Sequence, residues 1–438
     1  MKVTLIYPAI GNYADEACME PLSLGALAGM TPSDVEVVLY DDRLEPIPFD
    51  EPTDLVAITV QIFTARRAYE ISAEYRRRGV PVILGGMHPT LIPEEAAQHA
   101  DSIYLGDAEG LWRQVLQDAQ QRRLQPVYKA QPGLPQPESL TRRDLYKGKK
   151  YLPVSLMQFS RGCKFECYFC ATSAYFNKSH FHRCAEQVVK EIESQERNHI
   201  FFVDDNLLAN FEAAKILFRA LIPLKIRWVS QASIDMTRDH ELMSLMAQSG
   251  CLGYVIGFES INPESLRTMR KAPNLKAGFE SYKPQLKILR DYGLQTWAAF
   301  TLGHDQDTQE SIDDTLNFAL ENKFTFAAFN ILLPYPGTKL YRDLQDQKRL
   351  LFDGQWWLHP DYRFNHAAFQ PRHMTADELT RATFNVRKAF NSFGSIFRRV
   401  WDFKTNLRGP YRLGAYLAYN PLFRKETFKK QGLKLGKK

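Results

Sequence analysis

Short apolar, β-prone runs recur through the first part of the chain, at 3–7, 35–40, 55–60, 82–84 and 103–105. Between them lie stretches of helical character, such as 22–30 and 65–78. Strands that read as buried, alternating with helices, predict a parallel sheet wound with helices. Residues 1–125 are therefore expected to form a Rossmann-like α/β domain. Ligands of such sheets sit at the carboxyl ends of the strands. Those ends carry Pro8-Ala9-Ile10-Gly11, Thr59-Val60-Gln61 and Gly85-Gly86-Met87-His88-Pro89. Thr59, Gln61, Gly85, Gly86 and His88 are the candidate ligand contacts. Paired glycines let a backbone approach a ligand closely, and they equally serve a plain tight turn.

A Pro-rich stretch follows, with Pro126, Pro132, Pro135 and Pro137 inside 126–140. Proline removes donors and stiffens the chain, so 126–150 is expected to be an extended linker. The alternation then resumes. Strand candidates fall at 154–159, 200–203, 227–231, 254–258, 296–302 and 327–333, separated by helical stretches at 185–195, 212–221, 239–248 and 281–291. Six β/α units predict a partial TIM-type barrel over 151–345, with its chemistry at the carboxyl ends of the strands. A mostly helical extension, 346–438, closes the chain. Within it Trp356, Trp357, His359, Tyr362 and His366 either line a cavity or pack over the barrel mouth.

Charge refines this picture in one place. The 438 residues carry a net +6, yet from Ser395 onward twelve Lys/Arg face only Asp402 and Glu426, a net of +10. The remainder is therefore about −4, and the basicity belongs to the tail. Basic residues interleaved with Trp, Tyr and Leu suit peripheral contact with an anionic membrane, or else an RNA or an acidic protein; a disordered or docked basic tail is the other reading. No apolar run is long enough to span a bilayer. The opening Met1–Tyr7 reads as a strand, not a signal peptide. Six cysteines, three of them in one motif, suggest a reducing cytoplasm; Cys18, Cys184 and Cys251 read as small buried hydrophobes.

The chemistry concentrates in Cys163-Lys164-Phe165-Glu166-Cys167-Tyr168-Phe169-Cys170, which follows the first predicted barrel strand. Three thiolates can hold three irons of a cubane cluster and leave the fourth iron open to a substrate. Soft donors on a short loop also admit structural zinc, with His180, His182 and Cys184 as further ligands, although no second C-x2-C pair exists.

The C-x3-C-x2-C spacing, with the aromatic Phe169 before the last cysteine, resembles the signature of the radical S-adenosylmethionine (SAM) enzymes. The resemblance implies a [4Fe-4S] cluster on Cys163, Cys167 and Cys170 whose open iron chelates the amino and carboxylate groups of SAM. It implies SAM contacts at Asp204-Asp205-Asn206, where a helix cap is the competing role, and at Gln231 and Ser233. It also implies a carboxylate for the ribose hydroxyls at Glu259. Of Arg267, Arg270 and Lys271, one is expected to pair with the SAM carboxylate; Arg267 is taken for that role. Thr301-Leu302-Gly303-His304-Asp305 is similar to the segment beside the adenine, and Pro334-Tyr335-Pro336-Gly337-Thr338 also matches.

The order Pro21…Gly25, Asp41-Asp42, Gly85…Thr90, Pro93-Glu94-Glu95 and Gly106…Glu109 resembles the cobalamin-binding domain of the subfamily that contains oxygen-independent magnesium-protoporphyrin ester cyclases and hopanoid methylases. The D-x-H-x-x-G loop of cobalamin domains in general is absent, and no histidine precedes His88. The resemblance thus implies cobalamin whose lower face no such histidine holds. The expected function is hydrogen abstraction from an unactivated carbon of a small, apolar molecule, followed by cobalamin-dependent methyl transfer. The alternative is cyclisation, rearrangement or coupling without cobalamin, on a lipid, terpenoid or tetrapyrrole. A flavodoxin- or ferredoxin-type electron donor is implied, and nucleic acid is not an expected partner. Sulfur insertion into transfer RNA fits poorly, since that group has three further cysteines in its front domain and only Cys18 is available. A zinc-stapled binding protein is the non-enzymatic reading.

Overall fold

The computed structural model describes every residue except Ala14, Pro132, 134–139, 278–281 and Lys438. Six strands form the front sheet: β1 Lys2–Tyr7, β2 Glu36–Asp41, β3 Leu55–Thr59, β4 Val82–Gly85, β5 Ser102–Leu105 and β6 Val127–Lys129. All pair in parallel, in the order β2-β1-β3-β4-β5-β6. Helices Leu22–Gly29 and Trp112–Gln120 cover one face and Ala65–Arg77 the other. This is why the strands are apolar at nearly every position and not at alternate ones. The order reverses between β1 and β3, which opens a crevice at that carboxyl edge. One correction concerns the linker. Val127–Lys129 is not extended connector but a sixth strand on β5; Tyr128 is buried and its hydroxyl donates to Asp118 at 2.8 Å. Part of the remaining Pro-rich stretch lies outside the described residues.

The second sheet begins with β7 Ser155–Met157. A small antiparallel hairpin follows, β8 Ser160–Gly162 with β9 His180–His182. The sheet continues with β10 His199–Phe202, β11 Arg227–Ala232, β12 Cys251–Glu259, β13 Gln295–Leu302 and β14 Phe326–Ile331. Its order is strictly sequential, β7-β10-β11-β12-β13-β14, and every pair is parallel. With no reversal, all intervening helices fall on one side and the sheet curls into a partial barrel. A closed barrel of this type has an interior filled by side chains. Here Ala328 and Asn330, alternate residues of β14, are exposed.

The extension ties the two sheets together. Trp356, Trp357 and Tyr362 are fully buried in the core of the front sheet, as is Leu435 near the end of the chain. The indoles are held by hydrogen bonds to the Pro334 carbonyl (3.0 Å) and the Glu95 carboxylate (3.0 Å). The basic tail docks: it forms helices Phe393–Val400 and Pro410–Lys430, and Lys425 and Lys429 pair with Glu16 while Lys437 pairs with Asp42. Part of its charge is thus spent within the molecule, although Phe393, Phe397, Trp401 and Phe403 remain exposed. Among the described residues no helix is long and apolar enough to cross a membrane.

Candidate active site

The cysteine loop is an excursion from the β8–β9 hairpin, held at both ends. Gly162, the last residue of β8, has φ of +79°, and a Cβ there would collide with the Ser179 carbonyl. Only glycine takes this turn without strain. Beyond the last cysteine the chain enters helix Ala171–Phe176 and returns to β9, so that His180 lies opposite Gly162. Inside the loop the Cys170 N–H donates to the Cys167 carbonyl (3.0 Å). Tyr168 is fixed through both backbone groups, its N–H donating to Met269 and its carbonyl accepting from Leu340 (3.2 and 3.0 Å). The Phe169 ring packs edge-on between Tyr168 and His304.

The two aspartates that follow β10 brace this loop. Asp205 accepts from the Gly162 N–H (2.8 Å) and from Thr172 Oγ1 (2.9 Å), one residue before the first cysteine and two after the last. Asp204 is fully buried and accepts from the Phe159 N–H (3.2 Å) and from both the N–H and the hydroxyl of Ser160. Burial pushes its carboxyl up to about 7. Both its oxygens accept from the strand entering the loop, which makes it a support of that strand. Gln231 lies behind it, donating to the Asp204 carbonyl (3.3 Å). Ser233 accepts from Asn206 Nδ2 (3.1 Å). Asn206 is buried beside the Cys163 thiol, and its Oδ1 has no partner among the described residues. That orphaned acceptor fits a bound ligand better than a finished core.

At the end of β12 the strand bulges between Gly257 and Glu259, and Glu259 takes a left-handed φ of +62°. Such a conformation costs about 1–3 kcal/mol in a non-glycine residue and is kept where the surroundings enforce it. Here Lys271 enforces it, with Nζ 2.7 Å from Glu259 Oε1. A side chain at Gly257 would strike both partners. Thr301 of β13 stands 3.5 Å from the other Glu259 oxygen and 2.9 Å from His304. Lys271, not Arg267, is the cation at the site: Arg267 is more than half exposed and pairs with Glu264 (3.1 Å). The chain turns between them at Arg270, φ +54°, so helical spacing from Pro263 does not carry through to Lys271.

Burial raises the Cys163 and Cys167 thiols, Cys167 to about 12; the Lys271 charge pulls both down, and Cys170 pushes both up. Cys163 and Cys167 therefore both sense Cys170 and the Lys271 ammonium, and Cys167 also senses Glu259. Thiols of this kind give up their protons to a metal centre. No set of three His, Cys, Asp or Glu among the described residues is arranged around a single ion.

A radical SAM superfamily model matches residues 157–319. Bacteriochlorophyllide d C-8(2)-methyltransferase of Chlorobaculum tepidum is 31% identical over 363 residues, 76% of this chain and 78% of that protein. This chain belongs to the radical SAM superfamily. Bacteriochlorophyllide d C-12(1)-methyltransferase of the same organism is 28% identical over 87% of this chain and 84% of its own length. Two solved structures share the fold. One is the methyltransferase TsrM of Kitasatospora setae with cobalamin and a [4Fe-4S] cluster bound (TM-score 0.62, 18% identity, 79% of this chain and 78% of that one). The other is OxsB with aqua-cobalamin (TM-score 0.67, 14% identity, 97% and 71%).

The radical SAM chain has a second feature at this end. A cavity of about 480 Å³ lies along the carboxyl edge of the front sheet, lined by Thr59, Gln61, Gly85 and Gly86. Its opposite wall comes from the barrel: Gln158, Arg161, Tyr175 and Asp205. Gly86 has φ +104°, and a Cβ there would come within 3.0 Å of the Val60 carbonyl. The two walls are joined by Arg161 to Glu109 (2.7 Å) and by the Tyr175 hydroxyl to Asp107 (3.0 Å). His88, expected at this edge, is elsewhere. It is buried against Tyr69 and Glu95, each at 3.0 Å, in the core that also receives Trp357. Among the described residues no histidine lines the cavity. Arg161 and Tyr175 were not anticipated, although both flank the cysteine motif.

Proposed function

We propose that this radical SAM enzyme is a cobalamin-dependent methyltransferase acting on an unactivated carbon of a small apolar molecule. The observation that carries the proposal is the front cavity, because one wall is the crevice of the Rossmann-like sheet and the other is the brace of the cysteine loop. Cys163, Cys167 and Cys170 would hold the cluster, and the front-sheet residues Thr59, Gln61, Gly85 and Gly86 would hold cobalamin. When bound, the cluster supplies the electron that splits SAM, and cobalamin supplies the methyl group. The chain's own part is binding and orientation. Lys271 offers a cation for the SAM carboxylate, and Glu259 offers a carboxylate for the ribose hydroxyls. The Phe169 ring, locked by its neighbours, keeps the loop's shape. Among the described residues the cavity lining supplies no histidine that would hold cobalamin. The methyltransferases among the relatives support the same reading. An electron donor of flavodoxin or ferredoxin type completes the requirement.

Relatives also include the anaerobic magnesium-protoporphyrin IX monomethyl ester cyclase of Cereibacter sphaeroides, 24% identical over 83% of this chain. Ring closure without methyl transfer is accordingly the second reading. Anaerobic purification with cluster reconstitution and cobalamin supplied separates them. About four irons with stoichiometric cobalt, and 5′-deoxyadenosine formed from SAM under reduction, support the proposal. Iron without cobalt leaves the cyclase-type reading, and zinc without iron removes both.

A further inference from the structure

The amino-terminal end of the barrel, remote from the cysteine loop, holds a second cavity of about 530 Å³. That is within the range of small-molecule sites, roughly 300–1,000 Å³. Its wall is made by the first residues of β10–β14 and by Leu152–Val154 just before β7, and its floor by helix Pro410–Lys430. The helix turns Tyr411, Ala415, Tyr419 and Phe423 toward the cavity, a spacing of four that keeps one face inward. The small Ala415 sits between two tyrosines and leaves room. Apolar side chains dominate the lining, and among the described residues it contains no aspartate or glutamate.

Three observations define what this cavity would take. Trp297 Nε1 and His199 Nε2 are buried atoms of lining residues, and neither has a hydrogen-bond partner among the described residues. Arg227 and Arg412 are the charged residues of the lining, with Arg227 stacked over the Tyr411 ring at 4.1 Å. The concave face of the sheet also continues from this cavity to the chemistry. On β13 the residues of that face are Gln295, Trp297, Ala299 and Thr301, and Thr301 stands 3.5 Å from Glu259. From Trp297 to Thr301 is about 13 Å at 3.3 Å per residue. Along this face Ala299 is small, and on the neighbouring strand Ala328 and Asn330 are exposed.

We infer that the lower cavity binds an apolar molecule bearing a carboxylate at its far end. The carboxylate accepts from Trp297, His199 and the arginines, and the apolar body extends along Ala299 and Ala328 toward the cluster end. Identifying this ligand as the substrate rests on the proposed radical chemistry; the binding itself does not.

The probe is cis-parinaric acid, a fluorescent long-chain carboxylate, titrated into the full-length holoenzyme. Saturable binding of one equivalent is expected. Ala415→Trp, which fills the cavity, should weaken it at least tenfold, and Trp297→Phe should weaken the carboxylate severalfold more than the matching long-chain alcohol. A diazirine analogue photolysed on the unaltered protein should label peptides within 410–423, 227–229 or 295–297, which needs no variant to fold. Absence of saturable binding, or labelling confined elsewhere, overturns the inference. Formation of 5′-deoxyadenosine by the unaltered enzyme is measured in parallel. Its absence with probe binding intact would sink the radical assignment alone, and its presence without probe binding would sink the cavity alone.

Discussion

The two six-stranded sheets are both wholly parallel, yet they make opposite kinds of site. The front sheet reverses its strand order between β1 and β3, so helices cover both faces and the ligand space lies outside the edge. The barrel sheet never reverses, so its helices share one side and its concave face becomes the site. At the front edge the sheet's own contribution is close backbone approach: Gly86 is in a conformation only glycine accepts readily, while larger groups such as Tyr104, Trp112 and, from the barrel, Arg161 and Tyr175 complete the lining. At the barrel's carboxyl end, charge does the work: a strained glutamate is held against a buried lysine within the field of three thiols. Strand order, with the same element types, thus decides whether the ligand space lies outside the edge of the sheet or on its concave face.

The largest effect should come from breaking the charged end. Lys271→Met removes the partner of a buried glutamate, and an unpaired buried charge costs several kcal/mol. SAM affinity and 5′-deoxyadenosine formation should fall by tenfold to a hundredfold or more. Arg267→Gln, only four residues away but on the surface, should change them less than twofold. Isothermal titration with SAM and quantitation of the nucleoside product check both. Equal losses in the two variants would show that the pair at Glu259 is not where SAM is gripped.

Breaking the backbone end should cost less and cost something different. Gly86→Val adds a side chain against the Val60 carbonyl and Thr59 Oγ1 at a φ of +104°. Cobalt content should drop well below one equivalent while iron content and SAM cleavage persist. Loss of iron together with cobalt would mean that the two ends are not separable.

Most strands of both sheets were legible as apolar runs alternating with helices, and those of the front sheet, covered on both faces, show as nearly unbroken hydrophobic stretches. The cysteine spacing likewise marked the loop without any tertiary information. What was not legible depended on which way a side chain faces. Arg267, Arg270 and Lys271 are equivalent in sequence, and only the left-handed turn at Arg270 brings Lys271 inward. His88 follows a glycine pair at a strand end, as a ligand contact would, but its ring joins Tyr69, Glu95 and a tryptophan from 269 residues further on. The strand Val127–Lys129 is three residues long and sits in a Pro-rich setting, too short for any periodicity to declare it. The sequence left a docked tail and a surface-binding one both open, because Glu16 and Asp42, which pair with three of its lysines, lie at the opposite end of the chain.

The smallest effect tests whether Asp204 is a support, as its contacts indicate, and not a ligand. Its folded-state carboxyl is raised to about 7 by burial, against an ordinary value near 4. The folded protein therefore binds a proton more tightly than the unfolded chain between these values. The stabilisation this provides is fully present below about pH 4 and is lost as pH rises through 7, a swing of roughly 4 kcal/mol at most. Asp204→Asn has no such titration. The unaltered protein should gain stability relative to the variant on acidification from pH 8 to pH 5, read as a widening difference in Tm. SAM affinity of the variant should stay within severalfold, because the oxygens of Asp204 are spent on Phe159 and Ser160. A flat difference in Tm, combined with abolished SAM binding, would return Asp204 to the ligand-binding surface and leave Asp205 alone as the brace of the cysteine loop.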